Sequence, residues 1–222
     1  EVADGVRRHI TWPTTRLTVV KSDEAGHDLV LVHGIEPNMR WRSFCEGLMG
    51  IAQELGVRKV VLLGALLADS PHTRPVPVTG SVSDEGLARS LNMEPTRYEG
   101  PTGIVGVLQE SFAAAEFEAI SLWAAVPHYV AQPPCPKATL ALLRHVEDVL
   151  GLTIPLGDLP EQSRAWERGV DDLAAQDSEV ADYVRELEKQ KDAAELPEAS
   201  GEAIAREFER YLRRRGGDPG KG

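Results

Sequence analysis

Residues 58–68 read "RKVVLLGALLA", and this stretch decides the fold. Its apolar residues follow one another without the polar alternation of a half-exposed strand, so they predict a strand covered on both faces. The run is much shorter than the ~18 apolar residues that a membrane-spanning helix needs. A strand of this kind is typical of a sheet with helices packed against each side.

The segments before this strand predict a hairpin and a helix. "RLTVVKSDEAGHDLVLVHG" has two β-rich runs around a polar turn, which predicts a hairpin of residues 16–21 and 28–33. "PNMRWRSFCEGLMGIAQELG" then carries apolar residues at helical spacing. Asn38 is the predicted N-cap of this helix, and Gly56 is its predicted C′ residue. Cys45 falls on the apolar face of the helix and is expected to be buried.

The segments after the strand continue to alternate between helix and strand. The pattern predicts helices over residues 83–92, 109–117 and 136–151 and strands over residues 102–108 and 118–126. This alternation predicts an α/β domain with a mostly parallel sheet and helices on both faces.

The character of the chain changes near residue 158. Residues 158–198 carry 13 acidic and 5 basic residues, which is −8 of the total net charge of −11. This acidic segment has one narrow apolar stripe, which predicts a helix or helical pair laid on the first domain or on a neighbouring subunit. The stripe consists of Trp166, Val170, Leu173, Val180, Val184 and Leu187. The predicted organisation is an α/β domain (1–157), an acidic helical extension (158–215) that ends in a further helix, and a mobile tail (216–222).

Polar side chains follow the predicted strands at the points where the strands end. The loop "DSPHTRP" of residues 69–75 places an acid, a hydroxyl, an imidazole and a guanidinium directly after the central strand. Because loops meet at the carboxyl edge of a parallel sheet, we expect these groups to converge with those of neighbouring loops. The candidate anion or ligand cleft consists of His33, Glu36, Arg40, Asp69, Ser70, His72, Arg74, His128 and Tyr129.

The same loop also has a purely structural interpretation. Its prolines stiffen it, Asp69 can cap a turn, and Arg74 is expected to be held by an acid. The chain has no G-x-S-x-G elbow, no HExxH and no P-loop, so no catalytic residue, metal ligand or cofactor is assigned. Cys135 lies near a predicted helix N-terminus, where the dipole can lower the pKa of a thiol, but no base is placed beside it.

Four stretches of the chain resemble the actinobacterial branch of the proteasome assembly chaperone 2 family. They are "DGVRRHITWPTTRL", "LVHGIEPNMRWRSFCEGL", "LLGALLADSPHTRPVPVTG" and "ISLWAAVPHYVAQPPCPKATLALL". The resemblance implies an α/β fold of the phosphorylase/hydrolase-like type and a protein-binding role. It also implies a further strand–helix unit before "ITWP", which this sequence lacks. Relatives that dock on proteasomes can end in a hydrophobic–Tyr–any-residue tail, which "DPGKG" does not match.

Two functions follow from these observations. The favoured one is a non-enzymatic, chaperone-like cytoplasmic protein that binds other proteins, with proteasome subunits as candidate partners, and forms homo-oligomers. The alternative is a hydrolase- or phosphorylase-like enzyme that acts on a small anionic substrate at the strand-end cleft. The net charge of −11 argues against nucleic acid and anionic membranes as partners. A cleft whose polar side chains are bonded internally would favour the first function.

Overall fold

A computed structural model describes residues 12–21, 26–82, 100, 102–130 and 132–195, and the backbone of residues 2–3 and 7–8. The predicted helix at 83–92, the last helix of the extension and the tail at 216–222 lie outside these residues. The described strands are β1 (Val2–Ala3), β2 (Arg7–Arg8), β3 (Arg16–Val20), β4 (Leu29–His33), β5 (Lys59–Ala68), β6 (Val78–Val82) and β7 (Glu118–Pro127). The described helices are α1 (Trp41–Glu54), α2 (Ile104–Ala114), α3 (Pro136–Leu150), α4 (Leu159–Ala175) and α5 (Ser178–Glu195).

The main sheet of the described residues has three strands in the order β5-β7-β6. β7 is parallel to β5, with Ala68 opposite Pro127 at their carboxyl ends, and antiparallel to β6. The fold is therefore α/β with a mixed sheet, and the prediction of a mostly parallel sheet is not confirmed. β6 forms in a segment that was predicted to be loop. It runs antiparallel to β5 and β7 because residues 69–77 are too few for the crossover of a dozen or more residues that a parallel connection requires.

Helix α2 replaces a predicted strand. Residues 102–108 were expected to be extended, but Ile104–Ala114 is helical. Ile104 and Phe112 are buried, and Leu108 packs beside Phe112 in the same apolar cluster. These residues are four apart, a spacing that places all three on one face of a helix. The strand prediction was wrong because a short apolar run fits both periodicities.

The ends of α1 confirm one prediction and correct another. Gly56 has φ +66° and follows the C-cap residue Leu55, so it is the expected C′ glycine. Asn38 is not the N-cap, because the helix begins at Trp41 and Arg40 takes that position with φ 59°. Cys45 is buried as expected.

The core lies on both faces of β7. On one face Ala119 packs with Phe112 and Phe117, whose rings meet edge to face at 5.1 Å. On the other face Ile120 and Leu122 pack against α3. Because successive strand residues point to opposite faces, this continuous apolar strand is buried between two helical layers.

β5 is not buried in the way its sequence predicts. Leu63, Leu66 and Leu67 are 46%, 40% and 57% exposed. Among the described residues β5 pairs only with β7, so it is an edge strand of the sheet. The apolar run was expected to be covered on both faces, and its second half is not.

The acidic segment forms the helix pair α4 and α5, and α4 packs against α3. Val170, Val184 and Leu187 of the apolar stripe are buried, whereas Leu173 is 62% exposed. No helix in the described part of the chain is long and apolar enough to cross a membrane.

Candidate functional site

The loop of residues 69–75 and the turn that follows β7 lie at the same edge of the sheet. The loop leaves the carboxyl end of β5, and His128 and Tyr129 begin a 3₁₀ turn at the carboxyl end of β7. Since these strands are parallel and end in register, the two segments are neighbours. The structure thus brings together Asp69, His72, Arg74, His128 and Tyr129 of the predicted cleft.

His72 lies at the buried end of this site and is 2% exposed. Its Nδ1 atom is 2.8 Å from the Tyr129 hydroxyl, and its Nε2 atom is 3.0 Å from Oδ1 of Asp171 in α4. Its backbone N–H donates to the Tyr129 oxygen at 2.9 Å. With a proton on Nε2, the ring donates to Asp171 and accepts the Tyr129 hydroxyl proton at Nδ1.

Tyr129 keeps its hydroxyl proton at neutral pH. Burial raises the pKa of Tyr129 to about 12, and the negative charges of Glu188 and Asp171 act in the same direction. The hydrogen bond from the His72 backbone lowers the pKa but is outweighed. Tyr129 is therefore a hydrogen-bonding anchor for His72 rather than a base.

Arg74 is held by two carboxylates of α5. Its Nε and Nη2 atoms donate to Asp192 at 2.7 and 2.8 Å, and its Nη1 atom donates to Glu188 at 3.1 Å. The Thr73 hydroxyl donates to the same Glu188 carboxylate. The Arg74 hydrogen bond lowers the pKa of Asp192. The expected bond between Arg74 and an acid is therefore present, and internal carboxylates bind the guanidinium that was predicted to bind an anion.

Asp69 joins the loop to α5 and to the turn after β7. It accepts a hydrogen bond from the Tyr183 hydroxyl at 2.9 Å and lies 3.2 Å from Nδ1 of His128. The His128 ring contacts the rings of Tyr129 and Tyr183 edge to face. Desolvation and the bond to Asp69 raise the pKa of Tyr183.

Lys137 completes the contacts from the side of α3. Its ammonium group donates to the His72 carbonyl oxygen and lies 3.1 Å from a carboxylate oxygen of Glu167 in α4. We call the contacts of residues 69–74 with α3, α4 and α5 the loop latch. The latch connects the strand-end loop to a helix pair that lies about a hundred residues later in the chain.

The residues that hold the latch from the helices were not predicted from the sequence. They are Lys137, Glu167, Asp171, Tyr183, Glu188 and Asp192. A signal was available, because Glu167 with Asp171 and Glu188 with Asp192 are pairs of acids four residues apart. Like charges at this spacing repel each other on a helix, so each pair indicates a cationic or donor partner elsewhere.

Three predicted cleft residues do not join the latch. A carboxylate oxygen of Glu36 accepts a hydrogen bond from the backbone N–H of Ile104 at 3.1 Å, which satisfies one of the free N–H groups at the start of α2. His33 ends β4 and Arg40 precedes α1, and both are exposed. Within the described ranges no hydrogen bond or ion pair connects these residues to residues 69–75.

Ser70 and Cys135 are two further side chains that carry a nucleophilic atom. Ser70 is 5% exposed, and its backbone N–H donates to Ala68 at 2.9 Å. Burial raises the pKa of the Cys135 thiol, and this effect outweighs the backbone N–H groups at the start of α3. The helix N-terminus lowers the pKa of Cys135 as the sequence suggested, but burial is the larger effect, so the thiol is not activated.

The chemistry of the site is that of a structural connection. In the described part of the chain, no group of three or more His, Cys, Asp or Glu residues could hold a metal ion. The hydroxyl of Tyr129 is protonated, and the carboxylates face cations or donors. No feature of these residues favours the hydrolase alternative.

These features define an α/β protein with a mixed sheet whose strand-end loop is held by an appended helix pair. The family model described as "PAC2 family" matches residues 1–174. The chain therefore belongs to the PAC2 family, and the predicted resemblance is confirmed.

Two solved structures of this family are similar over most of their length. A PAC2 family protein from Streptomyces avermitilis is 64% identical with a TM-score of 0.74, and the match covers 82% of this chain and 77% of that one. The Mycobacterium tuberculosis proteasome-assembly chaperone homologue Rv2125 is 52% identical with a TM-score of 0.74, covering 83% and 78%. The archaeal proteasome activator PbaB from Pyrococcus furiosus, at 20% identity and a TM-score of 0.60 over 78% and 75%, shares the fold. No curated protein matches the sequence.

Proposed function

We propose that this protein is a chaperone-like protein that binds proteasome components in the cytoplasm and has no enzymatic activity of its own. Membership of the PAC2 family supports the proposal, as does the similarity to a mycobacterial proteasome-assembly chaperone homologue. The observation that carries it is the solvent exposure of the β3–β4 hairpin, since a chaperone needs an accessible apolar surface for its partner.

The hairpin presents apolar side chains to solvent on both faces. Leu31 and Val32 are 53% and 52% exposed, and they are consecutive residues of β4. Consecutive strand residues point to opposite faces, so neither face is fully covered. Nearby Ile35 and Met39 are 66% and 73% exposed. Several exposed apolar side chains in one segment are typical of a site for protein–protein association.

The test is an assembly assay with separately purified proteasome α and β subunits. We expect the wild-type protein to co-elute with one type of subunit in size-exclusion chromatography and to shorten the half-time of particle formation. The double variant Leu31→Ser, Val32→Ser should bind at least about tenfold more weakly, because it removes the apolar anchors. Thr18→Ser is the matched control, since Thr18 is the exposed cross-strand partner of Leu31.

Two outcomes would contradict the proposal. One is that neither subunit type binds and assembly is unchanged at micromolar concentrations. The other is equal binding by the double variant and the control, which would show that the hairpin is not the binding surface.

Self-association stays a prediction. The apolar stripe that suggested it is partly covered within the chain, because Val170, Val184 and Leu187 are buried. Leu173 and the hairpin still offer apolar surface to a second copy. Analytical ultracentrifugation that gives a single 24.2 kDa species across micromolar concentrations would contradict the prediction.

A further inference from the structure

A groove of about 380 Å³ opens at the carboxyl ends of β5 and β7, beside the loop latch. Its wall is mainly apolar, and its polar end is formed by the loop after β5 and by α5. The residues that define it are Leu66, Ser70, Pro71, Pro77, Trp123 and Lys191. We propose that this groove binds a small aromatic carboxylate.

The floor of the groove is the indole ring of Trp123. An added Cβ atom at Gly64 would lie 2.5 Å from Cε3 of that ring, so the ring lies directly against the backbone of β5. Glycine at position 64 is therefore required for the ring to take this position. The ring is half-buried, and Pro71, Pro77 and Leu66 surround the space beside it. A flat floor between apolar walls fits a planar aromatic ring, which stacks on indole or meets its edge.

Helix α2 does not extend its contacts along the whole of this sheet face. The Ser81 hydroxyl bonds to Gln109 of α2 and to Ser121 at 2.9 Å each, which joins the helix to the sheet at Ser121. Trp123 lies two residues further along the same face of β7, toward the carboxyl end. The groove therefore lies on this sheet face, near the carboxyl ends of β5 and β7.

Ser70 provides a buried polar group at the end of the groove. The residue is 5% exposed, and its side-chain hydroxyl makes no hydrogen bond within the described part of the chain. Leaving a hydroxyl buried without a partner is unfavourable, so this group indicates a ligand with a hydrogen-bonding atom. A carboxylate oxygen accepts the Ser70 proton.

Lys191 gives the groove a cationic side chain. Lys191 lines the groove, and an ammonium group carries three donors, so it can bind a carboxylate in addition to its existing contact. Asp69 also lines the groove, but Tyr183 and His128 bind its carboxylate. The groove is thus lined by an aromatic ring, a hydroxyl and a cation.

The test is a titration of the full chain with phenylacetate, followed by calorimetry and by the indole N–H signal of Trp123 in a ¹H–¹⁵N spectrum. A spectrum of Trp123→Phe assigns that signal. We expect a Kd on the order of 1 mM, as for a ligand of this size. Phenylacetamide and acetate should each bind at least about tenfold more weakly, because one lacks the charge and the other lacks the ring.

The variants separate the polar contacts from general effects on the fold. Ser70→Ala should weaken phenylacetate binding about fivefold, and Lys191→Met about tenfold. Lys189→Met is the matched control and should bind like the wild type, since Lys189 is exposed on the same helix and lies near Glu186. Circular dichroism and unfolding midpoints should show that all three variants are folded.

Three results would overturn the proposal. They are no binding of phenylacetate by the wild type at about 10 mM, equal binding of phenylacetamide, and unchanged binding by both Ser70→Ala and Lys191→Met. The proposal does not depend on the chaperone-like function, because the groove and the hairpin are different surfaces.

Discussion

The loop latch and the β3–β4 hairpin differ in the environment of their side chains. In the latch, Asp69, His72 and Arg74 each bond to side chains from distant helices. In the hairpin, Leu31 and Val32 stand more than half exposed in solvent. The difference indicates that the polar cluster, which looked functional in the sequence, stabilises the fold. The apolar strands, which looked structural, leave side chains exposed to solvent.

The largest effect should come from breaking the latch at its buried end. His72→Ala removes an imidazole that is 2% exposed and leaves Tyr129 and Asp171 without their partner. We expect the free energy of unfolding to fall by about 3 kcal/mol, measured by urea denaturation. His33→Ala, at an exposed histidine of the hairpin, should change it by less than about 0.5 kcal/mol. Equal effects of the two variants would remove the distinction between the two regions.

A second test uses alkaline pH. The pKa of Tyr129 is about 12 in the folded chain, above the usual value of 10, so the folded state keeps a proton that the unfolded state loses. The resulting stability is complete below pH 10 and is lost as the pH rises through 12. We expect a loss of about 1–2 kcal/mol over this range, after allowance for partial exposure.

Tyr129→Phe should not show this loss of stability at alkaline pH. Any pH dependence of its free energy of unfolding should come from other groups in the chain. Tyr183→Phe is the comparison variant and should remove a smaller part of the loss, because the pKa of Tyr183 is also raised and its charge adds to the shift of Tyr129. Unfolding midpoints measured from pH 9 to 12 compare the three proteins. An identical pH dependence in wild type and Tyr129→Phe would contradict the assigned role of Tyr129.

Arg74, at the exposed end of the latch, should contribute less than His72 to the free energy of unfolding. Arg74→Gln removes the two-carboxylate contact on a partly exposed surface, and we expect a loss of about 1 kcal/mol. The loss should shrink in 1 M salt because part of the interaction is screened. Arg42→Gln, at a 93% exposed side chain of α1, is the control and should be close to neutral. A loss that does not depend on salt would indicate lost packing instead of lost charge pairing.

The smallest effect on stability should come from the hairpin. Leu31→Ser is expected to change the free energy of unfolding by less than about 0.5 kcal/mol, because the side chain is half in solvent already. If unfolding shows a loss of 2 kcal/mol or more, Leu31 belongs to a core and the comparison with the latch fails.

Long periodic segments were predictable from the sequence, and short ambiguous ones were not. The predicted strand at 118–126 and helix at 136–151 match β7 and α3 closely. Residues 102–108 were assigned to a strand because a short apolar run does not distinguish the two periodicities. β6 was missed because it is short, contains a glycine and follows a proline-rich loop, although its pairing with β7 fixes it as a strand.

For the candidate site, the residues that follow the strands were predictable from the sequence, and the residues on the helices were not. Asp69, His72 and His128 were expected to lie together because the loops that follow parallel strands meet at the carboxyl edge of the sheet. The acids that bind them come from α4 and α5. A sequence gives the charge of those helices but not which loop they cover, since that depends on how α4 packs against α3.

The distance along the chain between the two halves of the latch has a consequence for synthesis on the ribosome. Arg74 bonds to a residue 118 positions later. At ~5–20 residues per second, about 6–24 s pass between the addition of the two residues. β5, β6 and β7 are complete well before α5 exists. During that interval we expect the charged loop to keep the edge of the unfinished sheet hydrated, so the groups that later fix the helices first protect the nascent chain from aggregation.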